Sequence, residues 1–326
     1  MNIKKIGLTA LAASLVSTSA FAGEMSVTGT AKIAWENYSG TALNGTKAFS
    51  MGNQITFSGS GELDNGMNVS LSFVIDEFDN AAHESVANNG SIFDAHSVTV
   101  SSDAMGTLKF SGEGGSSAQN TIDKTAAGDI WDLWDGRNGK SSKAKNSNAT
   151  NNMFLYTLPT MVDGLAVSAS YVPAAGNGAS DTSYVLTYTG VEGLSASYGT
   201  GTNDSAADKT THSETDTLSL SYVYGSVTVA YSDSSHDSAT ATADQDVSSY
   251  KLSYTVSDAI SISYGEEEVG SGTADDQDAK YSKISASYTA GGMTVSGNMS
   301  EMENGTYTTA VAGDEEYYGL SLSFAF

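Results

Sequence analysis

Apolar and polar residues alternate with a period of two along nearly the whole chain. Across residues 24–36, Met25, Val27, Gly29, Ala31, Ile33 and Trp35 share one parity, while Ser26, Thr28, Thr30, Lys32, Ala34 and Glu36 share the other. A strand sends successive side chains to opposite faces, so such a segment separates two different solvents. The split recurs with Met67, Val69, Leu71, Phe73 and Ile75 against Asn68, Ser70, Ser72 and Asp76, and later in 165–171, 184–188, 218–224, 227–231, 250–254, 260–264 and 284–288. Connections alternate in length as well. Tight joins at 64–66, 102–106, 160–164, 190–193, 225, 257–259 and 290–292 are interleaved with long polar segments near 38–47, 79–91, 113–150, 174–180, 201–213, 233–246, 266–279 and 303–315. Seven short turns and eight long loops predict sixteen antiparallel strands with both ends on the short-turn side. Each segment is about 9 to 11 residues long, the length with which a tilted strand crosses a bilayer.

Sorted by strand direction, Tyr171, Tyr198, Tyr231 and Tyr264 end strands on the long-loop side, and Tyr188, Tyr224, Tyr254 and Tyr288 end strands on the short-turn side. Two aromatic girdles bounding an apolar band are the arrangement expected at the two interfaces of a membrane.

Composition narrows the class. Lys4 and Lys5, an apolar run to Val16 and the sequence Ala20, Phe21, Ala22 predict a secretory signal peptide over 1–22, leaving 23–326 as one barrel domain. A secreted chain without cysteine cannot be stapled by disulfides, so it needs a large core or a closed sheet. The formal net charge of −24 at pH 7 repels nucleic acid and excludes it as a partner. Catalysis has little support: His83, His96, His212 and His236 are scattered, with no nucleophile at a recognisable spacing.

The signal peptide, the sixteen alternating segments and the closing run Tyr318, Leu320, Leu322, Phe324, Phe326 resemble a Gram-negative outer-membrane general porin, of the alphaproteobacterial type. That resemblance implies an all-β fold, a sixteen-stranded antiparallel transmembrane β-barrel in the bacterial outer membrane. It also implies passive diffusion of small polar solutes and ions through a water-filled channel, with no enzymatic step and no cofactor. The partners it implies are two further copies in a homotrimer, outer-membrane lipid and lipopolysaccharide, and the assembly machinery that reads a terminal phenylalanine such as Phe326. The second outer loop, about 79–90, would latch onto a neighbouring copy. The long loop after strand five, 113–150, would fold into the lumen as the constriction loop.

Within that loop the stretch GDIWDLWDGRNG sets Asp129, Asp132 and Asp135 on an acidic face, with Ile130, Trp131, Leu133 and Trp134 as apolar anchors at the spacing of a short helical turn. Arg137 is the sole arginine of the chain, so it pairs with Asp132 or Asp135 rather than forming an arginine wall opposite. Parity assigns Lys32, Lys109, Lys251 and Lys283 to the lumen wall together with Glu36, Glu62 and Asp76, a mixed ring that favours cations modestly. Tyr171, Tyr198, Tyr231, Tyr264, Tyr254 and Tyr288, with Phe324 and Phe326, are the expected membrane-anchoring and assembly residues. The outer-loop runs Glu266, Glu267, Glu268; Asp275, Asp276, Asp278; and Asp314, Glu315, Glu316 invite Ca²⁺ or Mg²⁺, although none has the spacing of a dedicated calcium loop. Two alternatives stay open at this point: an outer-membrane barrel enzyme with its site at the rim, and a secreted all-β adhesin.

Overall fold

The computed structural model describes residues 25–40, 46–77, 94–134, 143–174, 179–204, 212–273, 276–305, 307 and 314–326. The signal-peptide stretch, Asp135, Arg137, Asp275 and the 79–90 loop lie outside them. Sixteen strands follow one another: β1 (Met25–Gly40), β2 (Thr46–Glu62), β3 (Asn68–Glu77), β4 (Ala95–Ser102), β5 (Gly106–Glu113), β6 (Met153–Thr157), β7 (Leu165–Val172) and β8 (Asp181–Tyr188) form the first half. The second half comprises β9 (Leu194–Thr202), β10 (Ser213–Tyr224), β11 (Val227–Ser238), β12 (Gln245–Ser257), β13 (Ile260–Val269), β14 (Ala279–Ala290), β15 (Met293–Glu303) and β16 (Glu315–Ala325).

Every strand pairs antiparallel with its sequence neighbours, and β1 pairs with β16 to close the barrel. The closing register sets Thr30 opposite Ala325 and Tyr38 opposite Tyr317. Closure removes the free edges that a sheet of this size would otherwise present, and it does so without a disulfide. Past the end of β16, the Phe326 N–H donates to the Gly29 carbonyl at 3.0 Å and the Gly29 N–H to the Phe326 carbonyl at 2.8 Å. A Cβ on Gly29 would overlap the Phe326 ring, so the terminal aromatic packs on β1 at a position with no side chain to displace it.

The tight turns fall where glycine spacing predicts. Gly106 shows why: its φ is +75, and a Cβ there would run into the Thr157 carbonyl of the neighbouring strand. Such a left-handed conformation costs an L side chain about 1–2 kcal/mol.

The two parities form two surfaces. One exposes Val27, Ile33, Met51, Ile55, Leu71, Val98, Leu186, Leu220, Leu252, Ile262, Ile284 and Leu320, an apolar band that tyrosines bound along β7–β14. The other carries serine, threonine and Lys32, Lys109, Lys251 and Lys283. Three aromatic residues interrupt that polar parity: Tyr38, Tyr281 and Tyr317, all buried.

Two sequence expectations need correction here. Tyr198, Tyr231 and Tyr264 do not end their strands, which run on to Thr202, Ser238 and Val269. Past the tyrosines the apolar parity changes to acid, with Asp233 and Asp237 on β11 and Glu266 and Glu268 on β13, so alternation of hydrophobicity stops while the hydrogen-bond ladder continues. For the same reason Glu266, Glu267 and Glu268 belong to β13 and not to an outer loop, and Glu315 and Glu316 belong to β16. Alternation then sends the middle glutamate, Glu267, to the polar face, where it is 1% exposed.

Candidate functional site

Three isolated glycines on the polar parity, Gly199, Gly201 and Gly265, leave room against the sheet. A Cβ on each would overlap Ile122, Ser147 and Ala127 respectively, all from the 113–150 segment. That segment therefore lies directly on the polar face, and its contacts follow the strands in order. The Ala118 N–H donates to Ser170 Oγ of β7 at 3.0 Å, and the Gln119 N–H to Ser183 Oγ of β8 at 3.1 Å. Gln119 is fully buried; its Nε2 donates to Thr217 Oγ1 of β10 at 2.7 Å, and its Oε1 accepts the Ser147 N–H at 2.9 Å, tying the outgoing limb of the segment to the returning one. The Ala126 N–H reaches Ser232 Oγ of β11 at 2.8 Å, and the Ala127 N–H reaches Ser249 Oγ of β12 at 2.9 Å. Glu267 Oε2 of β13 accepts the Trp131 N–H at 3.0 Å. A chain without regular structure must find partners for its backbone donors when buried, and the small hydroxyls of the wall supply them.

Next comes an apolar knot. Ile130–Trp134 forms a short 3-10 turn in which Ile130, Trp131 and Trp134 are at most 3% exposed. Trp134 packs against Tyr281 of β14, with ring centroids 5.7 Å apart, and edge-on to Tyr317 of β16 at 6.4 Å. Tyr38 of β1 donates its hydroxyl hydrogen bond to the Leu133 carbonyl at 3.2 Å. Val247, Val269, Ala279 and Met302 complete the cluster. The returning limb is held by Gln245, whose Oε1 accepts the Lys145 N–H at 2.8 Å and whose Nε2 donates to the Lys143 carbonyl at 3.1 Å.

Asp129 is exposed, and it also sits at φ 49 and folds back, its Oδ1 accepting from the Thr125 hydroxyl at 2.6 Å and from Trp131 Nε1 at 3.0 Å. It shapes the turn that presents the tryptophans. Asp132 does line open space, in a cavity of about 530 Å³ that also carries Asp123, Asp129, Lys124, Lys143 and Lys251. Lys124, Lys143 and Lys145 escaped the parity reading because they belong to the segment and not to the wall. Burial pushes the Lys124 ammonium down from the usual lysine value, with Asp129 opposing it, and Lys145 is lowered by burial too, with Asp244 opposing. Of the expected wall charges, Lys32 and Glu36 on β1, Glu62 on β2, Asp76 on β3, Lys109 on β5, Lys251 on β12 and Lys283 on β14 all fall on the polar parity.

On the apolar parity Tyr171, Tyr198, Tyr231, Tyr250, Tyr254, Tyr264 and Tyr288 are between 40% and 51% exposed, and Phe324 and Phe326 are exposed. Several donate upward to carboxylates: Tyr198 to Asp216 at 2.8 Å, Tyr231 to Asp233 at 3.2 Å, Tyr318 to Glu316 at 3.0 Å, and Tyr264 to Glu266. Among the described residues no group of three His, Asp or Glu side chains is arranged to hold a metal ion. The runs Glu266–Glu268 of β13 and Glu315, Glu316 of β16 are split between the two faces by the same alternation.

A closed barrel with an apolar, tyrosine-bounded band on one face and a polar opposite face defines a membrane-spanning β-barrel. Residues 7–326 match the Gram-negative porin family, and the chain belongs to it. Among solved structures, an anion-selective porin from Comamonas acidovorans superposes with a TM-score of 0.66 at 14% identity, over 93% of this chain and all of the other. A triple mutant of the Rhodopseudomonas blastica porin superposes with a TM-score of 0.63 at 16% identity, with the same coverage. No significant match was found among curated proteins. The protein is thus an outer-membrane channel of the porin type.

Proposed function

We propose that the polar face lines a water-filled lumen, that the 113–150 segment lies across it as the constriction, and that small hydrophilic solutes and ions diffuse through passively. The observation that carries this is the order of the segment's contacts: β7, β8, β10, β11, β12, β13, β14, β16 and then β1. One short stretch of chain reaches so many strands of a closed ring only from the inside. Sixteen strands enclose more space than side chains fill, so water occupies the remainder.

A modest cation preference follows from the wall, where Glu36, Glu62, Asp76, Asp181, Glu267 and Glu315 stand against Lys32, Lys109, Lys251 and Lys283. The preference stays modest because the cavity at the segment carries three aspartates and three lysines. Association as a homotrimer through β1–β5 is supported by the apolar parity of that arc: Phe49, Met51, Ile55, Phe57, Leu71, Phe73 and Phe110 lie there without any tyrosine, whereas lipid-facing arcs carry phenols at the interface. Outer-membrane lipid, lipopolysaccharide and the assembly machinery are the remaining partners of this reading, and no enzymatic step is part of it.

Planar-bilayer recording of the purified protein in a KCl gradient tests it. Stepwise conductance with a reversal potential of the cation-selective sign is expected. Absence of steps removes the channel, and a reversal potential of the opposite sign removes the charge argument alone.

A further inference from the structure

Past the tie between Gln119 and Ser147 the two limbs of the 113–150 segment part, and the cavity of about 530 Å³ opens between them. Its lining comes from 120–132 on the outgoing limb and from Lys143 and Asn146 on the returning one; Lys251 of β12 is the sole wall residue among the described ones. The cavity is therefore a recess built into the segment itself, with no part taken from the opposite side of the barrel. Its frame is pinned on both limbs. The Lys124 carbonyl accepts the Ser232 hydroxyl at 2.8 Å, the next two anchors are the N–H groups of Ala126 and Ala127, and Gln245 holds the Lys143 carbonyl on the returning side. A recess fixed in this way costs little to order when something enters it. Gly128 turns the chain at φ +90, and a Cβ there would meet nothing within 4 Å, so the space beside it is open.

Charges of both signs share this recess in equal number: Asp123, Asp129 and Asp132 against Lys124, Lys143 and Lys251. Lys124 is within electrostatic reach of Asp129, of Asp132 and of Lys143 across the gap between the limbs. Among the described residues, none of Asp123, Asp129, Lys124 and Lys251 nevertheless forms an ion pair. Both bonds that Asp129 accepts fall on Oδ1, which leaves Oδ2 for the recess. Opposite charges are thus held near one another without joining. A lone cation or a lone anion entering such a space is attracted by half of the groups and repelled by the other half. A body that carries both charges meets attraction at each end.

We infer that the recess between the two limbs is a binding site for a small zwitterion, a free amino acid or a short peptide, with its carboxylate held by Lys124 and Lys143 and its ammonium by Asp129 and Asp132. Each end then makes charge-assisted hydrogen bonds, which are stronger than those between neutral groups. The site depends on the segment's own two limbs, so it exists only while the segment is folded against the wall. A zwitterion bound there bridges the limbs and fills the open space beside Gly128. Passage past the site tolerates such binding provided that it is weak enough for release.

This inference rests on the channel reading above, for which it names a class of solute, and its test separates the two. In single-channel recordings at low KCl, glycylglycine added to the bath is expected to reduce the current with saturation. Acetate and ethylammonium, which each carry one of its charges, should act about tenfold more weakly, the loss expected when one charged end has no partner. Lys124→Gln and Asp132→Asn should each weaken the glycylglycine block by about the same factor. Lys280→Gln serves as the control, because Lys280 lies on the opposite face and pairs with Glu268 at 3.6 Å; it should leave the block unchanged. Glycine distinguishes the sources: block by both supports a site for any small zwitterion, and block by glycylglycine alone supports one spaced for peptides. Normal KCl conductance with no saturable block, or block by acetate or ethylammonium as strong as that by glycylglycine, overturns the site and leaves the channel standing. Should the protein form no channels, saturation-transfer NMR from the detergent-solubilised protein to glycylglycine reads the recess independently. Transfer lost in Lys124→Gln and Asp132→Asn but kept in Lys280→Gln supports the site; transfer equal in all of them, or absent from the unaltered protein, overturns it.

Discussion

Strands β7–β14 and strands β1–β5 share one alternation and differ on both faces. On the apolar parity, β7–β14 carry Tyr171, Tyr184, Tyr188, Tyr198, Tyr222, Tyr224, Tyr231, Tyr250, Tyr254, Tyr264 and Tyr288. Tyr38 is the one tyrosine in residues 25–113, and it lies on the polar parity instead. On the polar parity, β7–β14 supply the hydroxyls, the glycines and Tyr281 that hold the 113–150 segment. The difference shows that alternation alone specifies only that a strand has two faces. What each face meets is encoded in departures from it: phenols at the edges of an apolar band meet a membrane interface, and an aromatic ring or a bare glycine on a polar face meets another piece of the chain.

The largest effect should come from cutting the apolar knot. Replacing Trp131 and Trp134 together by alanine removes side chains that are 3% exposed, at a cost of about 3–5 kcal/mol each. The hydrogen-bond ladder of the barrel does not depend on either, so the variant should keep its heat-resistant mobility on a denaturing gel while its single-channel conductance rises. Unchanged conductance would mean that the segment does not restrict the pore. Next in size is a charge placed on the apolar band of each arc. Ile262→Arg on β13 should lower the resistance to unfolding by about 2–4 kcal/mol, the cost of a cation near the bilayer midplane, and leave the oligomer intact. Ile55→Arg on β2 should instead dissociate the oligomer on a native gel. If the two variants behave alike, the arcs are equivalent and the tyrosine-free face is not where copies meet.

A smaller loss is expected from Gln119→Ala. It leaves the buried Ser147 N–H without its side-chain partner, while Thr217 Oγ1 keeps Ser234 Oγ at 2.9 Å. An unsatisfied buried group costs about 1–3 kcal/mol, felt only on the arc the segment occupies. Faster hydrogen exchange should therefore appear in the segment and not in β2–β4, and uniform acceleration across the barrel would contradict a local latch.

Strand number, order and facing were legible because each strand repeats one rule many times, and a closed sheet leaves little choice of neighbours once the short turns are placed. Strand length on the loop side was not, because Asp233, Asp237, Glu266 and Glu268 keep the backbone pattern while abandoning the hydrophobic one. The tryptophans of the segment stood out as bulk in a polar stretch. Their partners were readable in principle, since Tyr38, Tyr281 and Tyr317 are aromatic on the polar parity and only a packed neighbour explains that. Lys124, Lys143 and the fold-back of Asp129 were beyond reach: an irregular segment has no period, and its side-chain directions are set by contacts with strands more than a hundred residues away, such as Ser232 and Ser249.

The smallest effect concerns the lysines of the segment. Lys124 and Lys145 are held below the usual lysine value of 10.5 by burial. For a base, a lowered value means the positive form is lost earlier as pH rises, so the segment sheds positive charge at a pH where ordinary lysines keep theirs. The cation preference should therefore increase through the alkaline range below pH 10.5, by a shift in reversal potential of a few millivolts, on the order expected for one or two charges in a wetted, screened passage. Lys124→Gln should raise the preference at neutral pH and flatten part of that alkaline rise, while Asp132→Asn should lower the preference at neutral pH and leave the rise in place. A reversal potential insensitive to both substitutions would mean that ions pass along the bare wall of β2–β5, beyond the field of the segment, and that selectivity is set by Lys32, Lys109 and Asp76 alone.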